Sequence, residues 1–285
     1  MLDVFNITGQ QDNVKIFYTQ GATAWQTWQK PRNCKFIWMM CIGGGSGGGA
    51  GGISSGIQAG ATGAITKALF PASVLPDTLF VQPGPGGVGG TANLGAGGNG
   101  NRSWVVINPS GSVPVAMNTV CVSGTTAAVG ASNGVNGVGE TAVTNSPLVA
   151  GLLSLGNWIS TPGVSSAGAV TVTPFGVSLL CVGGNGGTQN VSAGSGIASA
   201  NFITFQTPAL SGGAVSSGAN GADGVFSWKP FYSLGGAGGG SNNAGAGGKG
   251  GNGAYGSGGG GGGGGSTGGG AGGSGGDGLV IIATF

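Results

Sequence analysis

The sequence predicts an all-β protein in which short strands alternate with glycine tracts, and these tracts are expected to form a bundle of polyglycine-II helices. Glycine accounts for 72 of the 285 residues and is concentrated in tracts between short apolar runs. The runs are rich in β-branched and aromatic residues, as strands are, and no segment has the periodicity of a three-turn amphipathic helix. We therefore expect little or no α-helix and a single domain over residues 1–285.

The composition argues against two other glycine-rich classes of protein. Disordered chains combine low hydrophobicity with high net charge, whereas this chain is 39% hydrophobic with a formal net charge of +2. Collagen needs glycine at every third position and abundant proline, but the chain has 12 prolines and no such period throughout. Its eight basic residues are scattered, so nucleic-acid binding is not expected as the main function.

The N-terminal region, 1–42, is predicted to contain two strands, at 14–19 and 34–42. In the second strand a period of two places alternate residues on opposite faces. One face carries Cys34, Phe36, Trp38 and Met40, and the other carries Lys35, Ile37, Met39 and Cys41. The intervening segment 25–31 is expected to end in a turn marked by Pro31.

The rest of the chain repeats the order of strand and glycine tract. Region 43–107 is predicted to hold strands at 65–71, 78–82 and 103–107 between tracts at 43–52 and 84–100. Region 108–182 has less glycine and is the expected place for variable loops, with apolar runs at 113–122, 148–155, 170–172 and 177–182. Region 183–285 is expected to be a glycine-rich bundle with strands at 225–228 and 279–285.

The glycine tracts need a systematic stabilising contact, because glycine in a regular element costs about 1 kcal/mol relative to alanine. Polyglycine-II helices provide one, since without side chains they can hydrogen-bond to one another along their backbones. At about 3.1 Å per residue, the glycine run 258–265 would span about 25 Å, which suits one leg of a bundle. We expect turns at 241–243, at 266–267 and at Asp277.

The cysteines do not form a metal-binding pattern. Cys34, Cys41, Cys121 and Cys181 include no C-x-x-C pair, and the chain has no histidine to complete a zinc site. Either they are buried as small apolar residues or they form disulfides. We expect no metal and no other cofactor.

Catalytic motifs are missing from the sequence, and we expect no enzymatic activity. Without histidine, a Ser-His-Asp or Cys-His site is impossible, and the six acidic residues are far apart in sequence. No Walker motif occurs. Residues 272–280 fit one calcium-binding nonapeptide, but that motif works in tandem copies, so we interpret it as a chance match.

No membrane insertion and no secretory signal peptide are expected. No stretch approaches 18 consecutive apolar residues, and the first residues lack a basic and an apolar signal region. A surface-type composition without a signal peptide therefore predicts release by cell lysis or export by another route.

Aromatic residues are the remaining candidates for a binding function. Most of them are expected to pack between strands, but those on exposed loops could stack on sugar rings. Tyr255 is the first candidate for contact with a receptor, because it is a single aromatic residue within a glycine tract. Trp158 is the second, because it follows Asn157 in a segment that we interpret as a loop.

A tryptophan-proline segment opens the pattern and an apolar strand then runs into glycines, and glycine repeats with a short apolar strand close it. These features lie at Trp25, Trp28, 30–31, 36–45, 79–87, 103–105 and 275–282. The pattern resembles the glycine-rich domain of bacteriophage tail-fibre and receptor-binding proteins, which opens and closes in the same way. The resemblance implies that the N-terminal and C-terminal strands pair. It also extends to phage tip adhesins of the polyglycine-II type, in which loops between the glycine helices contact the bacterial surface.

This resemblance implies a virion protein that is exposed on a tail or capsid and is made in the host cytoplasm without a signal peptide. A tail-fibre or tip adhesin is the first hypothesis, and its partners would be other virion proteins and a bacterial surface glycan or outer-membrane protein. A protein that decorates the capsid or bridges tail parts, without binding a receptor, is the alternative. An ice-binding protein built from glycine helices is a minor alternative. We also expect a homo-oligomer, with a trimer as one candidate state.

Overall fold

The computed structural model describes most of the chain. The described residues are 13–21, 24–91, 93–109, 116–133, 135–143, 155–165, 180, 183–188, 192–199 and 206–285. The predicted runs 148–155, 170–172 and 177–182 lie outside them, apart from Leu155 and Leu180. Within the described ranges, no helix is long and apolar enough to cross a membrane.

Eleven β-strands and two short 3-10 turns are the regular elements of the described residues, which confirms the all-β fold class. The strands are β1 Val14–Tyr18, β2 Gln26–Gln29, β3 Phe36–Ile42, β4 Ile65–Pro71, β5 Thr78–Gln82, β6 Trp104–Val106, β7 Thr119–Val122, β8 Asn157–Thr161, β9 Phe226–Trp228, β10 Phe231–Ser233 and β11 Leu279–Thr284. Strands β2, β8 and β10 were not predicted, because each is short and lacks an extended apolar run. Of the predicted run 113–122, the last four residues form β7 and residues 116–118 form a 3-10 turn, while 113–115 lie outside the described residues.

The first and last strands pair, as predicted. A five-stranded antiparallel sheet has the order β1-β11-β3-β4-β8, so β11 lies between two strands of the N-terminal region. Val280 of β11 is opposite Phe17 on one side and Cys41 on the other. A second antiparallel sheet has the order β2-β5-β6-β7, and β9 and β10 form a hairpin.

The main hydrophobic core contains residues of both larger sheets. The alternation predicted for β3 is confirmed, because Ile37, Met39 and Cys41 belong to this core, whereas Met40 and Ile42 belong to a separate cluster on the other face. The second sheet contributes mainly Trp28, Leu79, Val81, Val105, Val120 and Cys121. The described cysteines are free, so the disulfide alternative finds no support among them, and Cys181 lies outside the described residues.

The glycine tracts form a bundle in which backbones hydrogen-bond to backbones with a three-residue period. In the central segment, 258–265, the N–H of Gly259 donates to Ser46 O, and the N–H of Gly262 donates to Gly49 O of the same neighbour. Six segments surround it and exchange hydrogen bonds with it: 43–52, 54–60, 184–187, 236–242, 248–251 and 270–273. Three residues per turn and donors in three directions are the geometry of polyglycine II, as predicted.

Five neighbouring segments form one surface of the bundle, which we call the outer layer. They follow one another in the order 219–224, 247–255, 269–277, 84–91 and 95–101. In these segments, residues with side chains recur at every third position, for example Ala271, Ser274 and Asp277. A Cβ on the intervening Gly273 would lie only 1.9 Å from the carbonyl oxygen of Gly251. Side chains therefore fit only where the segment faces outward.

Side-chain oxygens accept hydrogen bonds from outward-facing N–H groups of the outer layer. The amide Oδ1 of Asn220 accepts from Lys249 N at 2.9 Å, and Asp277 Oδ1 accepts from Gly86 N at 2.8 Å. The predicted turns near 241–243 and at 266–267 are present. The turn predicted at Asp277 is wrong, because the last glycine segment continues directly into β11, and Asp277 instead caps a neighbouring segment.

Replacing Asn220 with alanine is expected to lower the free energy of unfolding by about 0.5–1 kcal/mol, in the range of an exposed capping residue. The loss follows because the N–H of Lys249 then has only water as an acceptor. Urea unfolding of the purified protein measures this change. The Asn220→Asp variant keeps the accepting oxygen and should match the wild type, and an equal loss in both variants would contradict the capping role.

Candidate functional site

An open groove with a volume of about 470 Å³ crosses the outer layer close to the strands. Four parts of the chain line it: 86–88, Gly224 with Phe226, 253–255, and 274–277. Most of these residues belong to glycine segments whose backbones are hydrogen-bonded to one another. The base of the groove is therefore formed by hydrogen-bonded backbone, and few side chains lie above it.

Tyr255 lies in this groove because of the three-residue period of its segment. Lys249 and Asn252 are the preceding outward positions, and Tyr255 is the next. The chain then turns at Gly256, which has φ of +70°. The ring is half-buried, so the first candidate residue of the sequence analysis is at the surface, beside a concave site.

An aromatic cluster surrounds Tyr255. The ring of Phe226 packs edge-on against it with a centroid distance of 5.0 Å, and the ring of Tyr18 lies 5.8 Å away. Phe226 also contacts Trp228 and Phe231, at 4.7 and 5.7 Å. Neither Tyr18 nor Phe226 was predicted as a site residue. Tyr18 comes from the other end of the chain, and only the pairing of β1 with β11 brings it here, so no local sequence signal identifies it.

The polar side chains that line the groove are the phenol of Tyr255, the hydroxyl of Ser274 and the carboxylate of Asp277. Asp277 lines it, and Asp223 precedes the lining residue Gly224. Burial, then the proximity of Tyr18 and of Asp277, raises the pKa of the Tyr255 phenol. The hydroxyl therefore stays protonated at neutral pH and can donate a hydrogen bond. No lysine or arginine is among the lining residues that the structure describes.

Trp158, the second candidate, lies in a different part of the protein. The loop predicted around it is wrong, because it belongs to edge strand β8, where it is opposite Ala68. Its half-buried side chain packs against the main core, so it does not extend the groove at Tyr255. Contact of Trp158 with a receptor stays a prediction.

A second polar cluster is fully enclosed where the strands meet the glycine bundle. The Glu140 carboxylate, 1% exposed, accepts hydrogen bonds from Ser123 Oγ at 2.6 Å and from Ala64 N at 2.7 Å. A Cβ on Gly43 would collide with this carboxylate, so glycine makes room for it. Burial raises the pKa of Glu140 to about 8, although its hydrogen bonds and Arg102 oppose the shift. Because no ligand can reach it, we interpret this cluster as structural.

No group of three or more cysteine, aspartate or glutamate side chains among the described residues is arranged to hold a metal ion. The groove at Tyr255 thus offers aromatic stacking, hydrogen bonding and a negative charge, which are means of binding.

A family model described as a glycine-rich domain matches residues 19–284. No curated protein matches the chain.

Proposed function

The chain belongs to the glycine-rich domain family, and we propose that it is a non-enzymatic structural protein of a bacteriophage particle that attaches the particle to the host cell. The groove at Tyr255 carries this proposal. The half-buried aromatic cluster lies on glycine segments that are hydrogen-bonded to one another. Because this backbone is already ordered, little conformational entropy is lost when a ligand binds. The resemblance to phage receptor-binding domains supplies the biological setting.

A second candidate is a protein that bridges or decorates parts of the particle without binding a receptor. The observation that favours it is an exposed apolar area on the five-stranded sheet. Ile159 is 69% exposed, Phe36 47% and Leu69 38%, and large exposed apolar side chains often mark contacts with other proteins. In an adhesin the same area would serve assembly with other virion proteins or with further copies of the chain.

Binding of the fluorescently labelled protein to bacterial cells and to isolated virions distinguishes the two functions. We expect saturable labelling of particular strains that the phage competes away, and at least a tenfold loss of labelling in Tyr255→Ala. Met117→Ala is the control and should label cells as the wild type does, because Met117 is 81% exposed and lies neither in the groove nor in the apolar area of the sheet. Labelling of virions with no labelling of cells would refute the adhesin and support the bridging protein.

A further inference from the structure

We propose that the groove at Tyr255 binds an uncharged glycan through ring stacking on Tyr255 and hydrogen bonds to Asp277. This inference deepens the proposed function and rests on it for the source of the glycan, which would be the host cell surface.

The Tyr255 ring is partly exposed in the groove. It is half-buried and lines the groove, and its contacts with Phe226 and Tyr18 are edge-on and tilted rather than stacked. The face of an aromatic ring is the negative part of its quadrupole. It attracts the weakly positive C–H bonds that sugar rings present on one side, which makes it a platform for a hexose.

Hydrogen-bonding atoms flank this platform. One oxygen of Asp277 accepts from Gly86 N, which fixes the carboxylate at the groove. Its other oxygen and the phenol hydroxyls of Tyr18 and Tyr255 make no hydrogen bond to a described residue. A carboxylate accepts from two hydroxyl groups and a phenol both donates and accepts, so adjacent hydroxyls of a sugar ring find matching partners.

The negative charge at the groove favours uncharged glycans over acidic ones. Asp277 lines the groove and Asp223 lies next to it, while none of the described lining residues is basic. A uronic acid, sialic acid or phosphate group would be placed beside these carboxylates without a cation, which is unfavourable. A protein partner fits less well, because a stable protein interface buries about 800 Å² on each partner, and the aromatic and acidic groups here are confined to one groove.

An array of purified bacterial polysaccharides, neutral and acidic, tests the ligand class directly with the full chain. We expect neutral polysaccharides to be bound and acidic polysaccharides not to be bound.

Tyr255→Ala should weaken binding at least tenfold, and Tyr255→Phe, which keeps the ring, should weaken it about threefold. Asp277→Asn keeps the acceptor for Gly86 N, so it should fold normally while losing affinity for neutral glycans. Met117→Ala, which changes an exposed residue outside both the groove and the apolar area of the sheet, is the control and should bind normally. Binding that prefers acidic polysaccharides, binding unchanged in Tyr255→Ala, or no binding to any polysaccharide would overturn the proposal.

Cells treated with periodate, which oxidises vicinal diols of sugars, separate this inference from the proposed function. Loss of cell labelling after periodate supports the glycan. Labelling that survives periodate but is lost in Tyr255→Ala would overturn the glycan in favour of a protein receptor and leave the adhesin intact. If untreated cells are not labelled, the adhesin fails, and the array alone decides the ligand class of the groove.

Discussion

Replacing Gly260 with alanine is expected to destabilise the protein by at least about 4 kcal/mol, beyond the usual cost of overpacking, and to prevent folding if the wild type is marginally stable. Gly260 lies in the central segment, with neighbouring segments on all sides. A Cβ there would be 2.1 Å from the carbonyl oxygen of Ala237, a backbone atom that accepts a hydrogen bond from Gly251 N. Relief of this clash requires two segments to separate, which breaks hydrogen bonds along both.

Gly245→Ala is the matched control. The nearest atom to a Cβ at Gly245 is the side-chain amide nitrogen of Asn242, at 3.2 Å, and no positive φ requires glycine there. We expect its unfolding free energy to stay within about 1 kcal/mol of the wild type. Circular dichroism and urea unfolding of both variants measure the difference, and a Gly260→Ala variant as stable as Gly245→Ala would refute the backbone-contact account.

Glu140 is expected to make the protein less stable as pH rises from about 4.5 to about 8. The pKa of its carboxyl is about 8 in the folded protein, against 4.5 for an ordinary glutamate. Between these values the folded state holds a proton that the unfolded state has released, so stability falls with pH by up to about 1.4 kcal/mol per unit. The full effect on the free energy of unfolding is on the order of 5 kcal/mol. Below about pH 4.5 and above about pH 8, Glu140 contributes little to the pH dependence of stability.

The variant Glu140→Gln should remove this slope, because a neutral amide imitates the protonated carboxyl. Its oxygen can accept from Ala64 N while its NH₂ donates to Ser123 Oγ, whose hydroxyl can rotate. Urea unfolding between pH 4 and 9 measures the slope. Asp77→Asn is the control, since the Asp77 side chain is 87% exposed, and its profile should keep the slope of the wild type. A slope that persists in Glu140→Gln would show that another group causes it.

Much of the fold could be predicted from local patterns. The strands at 65–71 and 78–82 have the predicted bounds, because their β-branched and aromatic residues are flanked by glycine or proline. Strand β8 and the strand position of Trp158 could not be predicted, because a short segment such as 157–161 carries no period that distinguishes a strand from a loop. Its pairing with β4 decides its conformation.

One residue of the candidate site, Tyr255, was predicted from the sequence, and the others were identified only in the structure. Tyr255 is visible in the sequence as an interruption of glycine, and the local three-residue period through Lys249 and Asn252 could have shown that it faces outward. Phe226 and Tyr18 could not be found in this way. They lie 29 and 237 positions from Tyr255 in the numbering, and their approach depends on sheet and bundle contacts between distant segments.

By itself, the sequence determined that the chain is all-β, that its glycine tracts pack through their backbones, and that no histidine side chain is present. These properties follow from residue type, since a missing side chain permits close backbone approach wherever it occurs. Only the tertiary structure decided which glycine segments touch, which carboxylate is enclosed and which aromatic rings share a groove. Such contacts depend on the order of segments in space, and backbone hydrogen bonds between glycines carry no side-chain information about their partner.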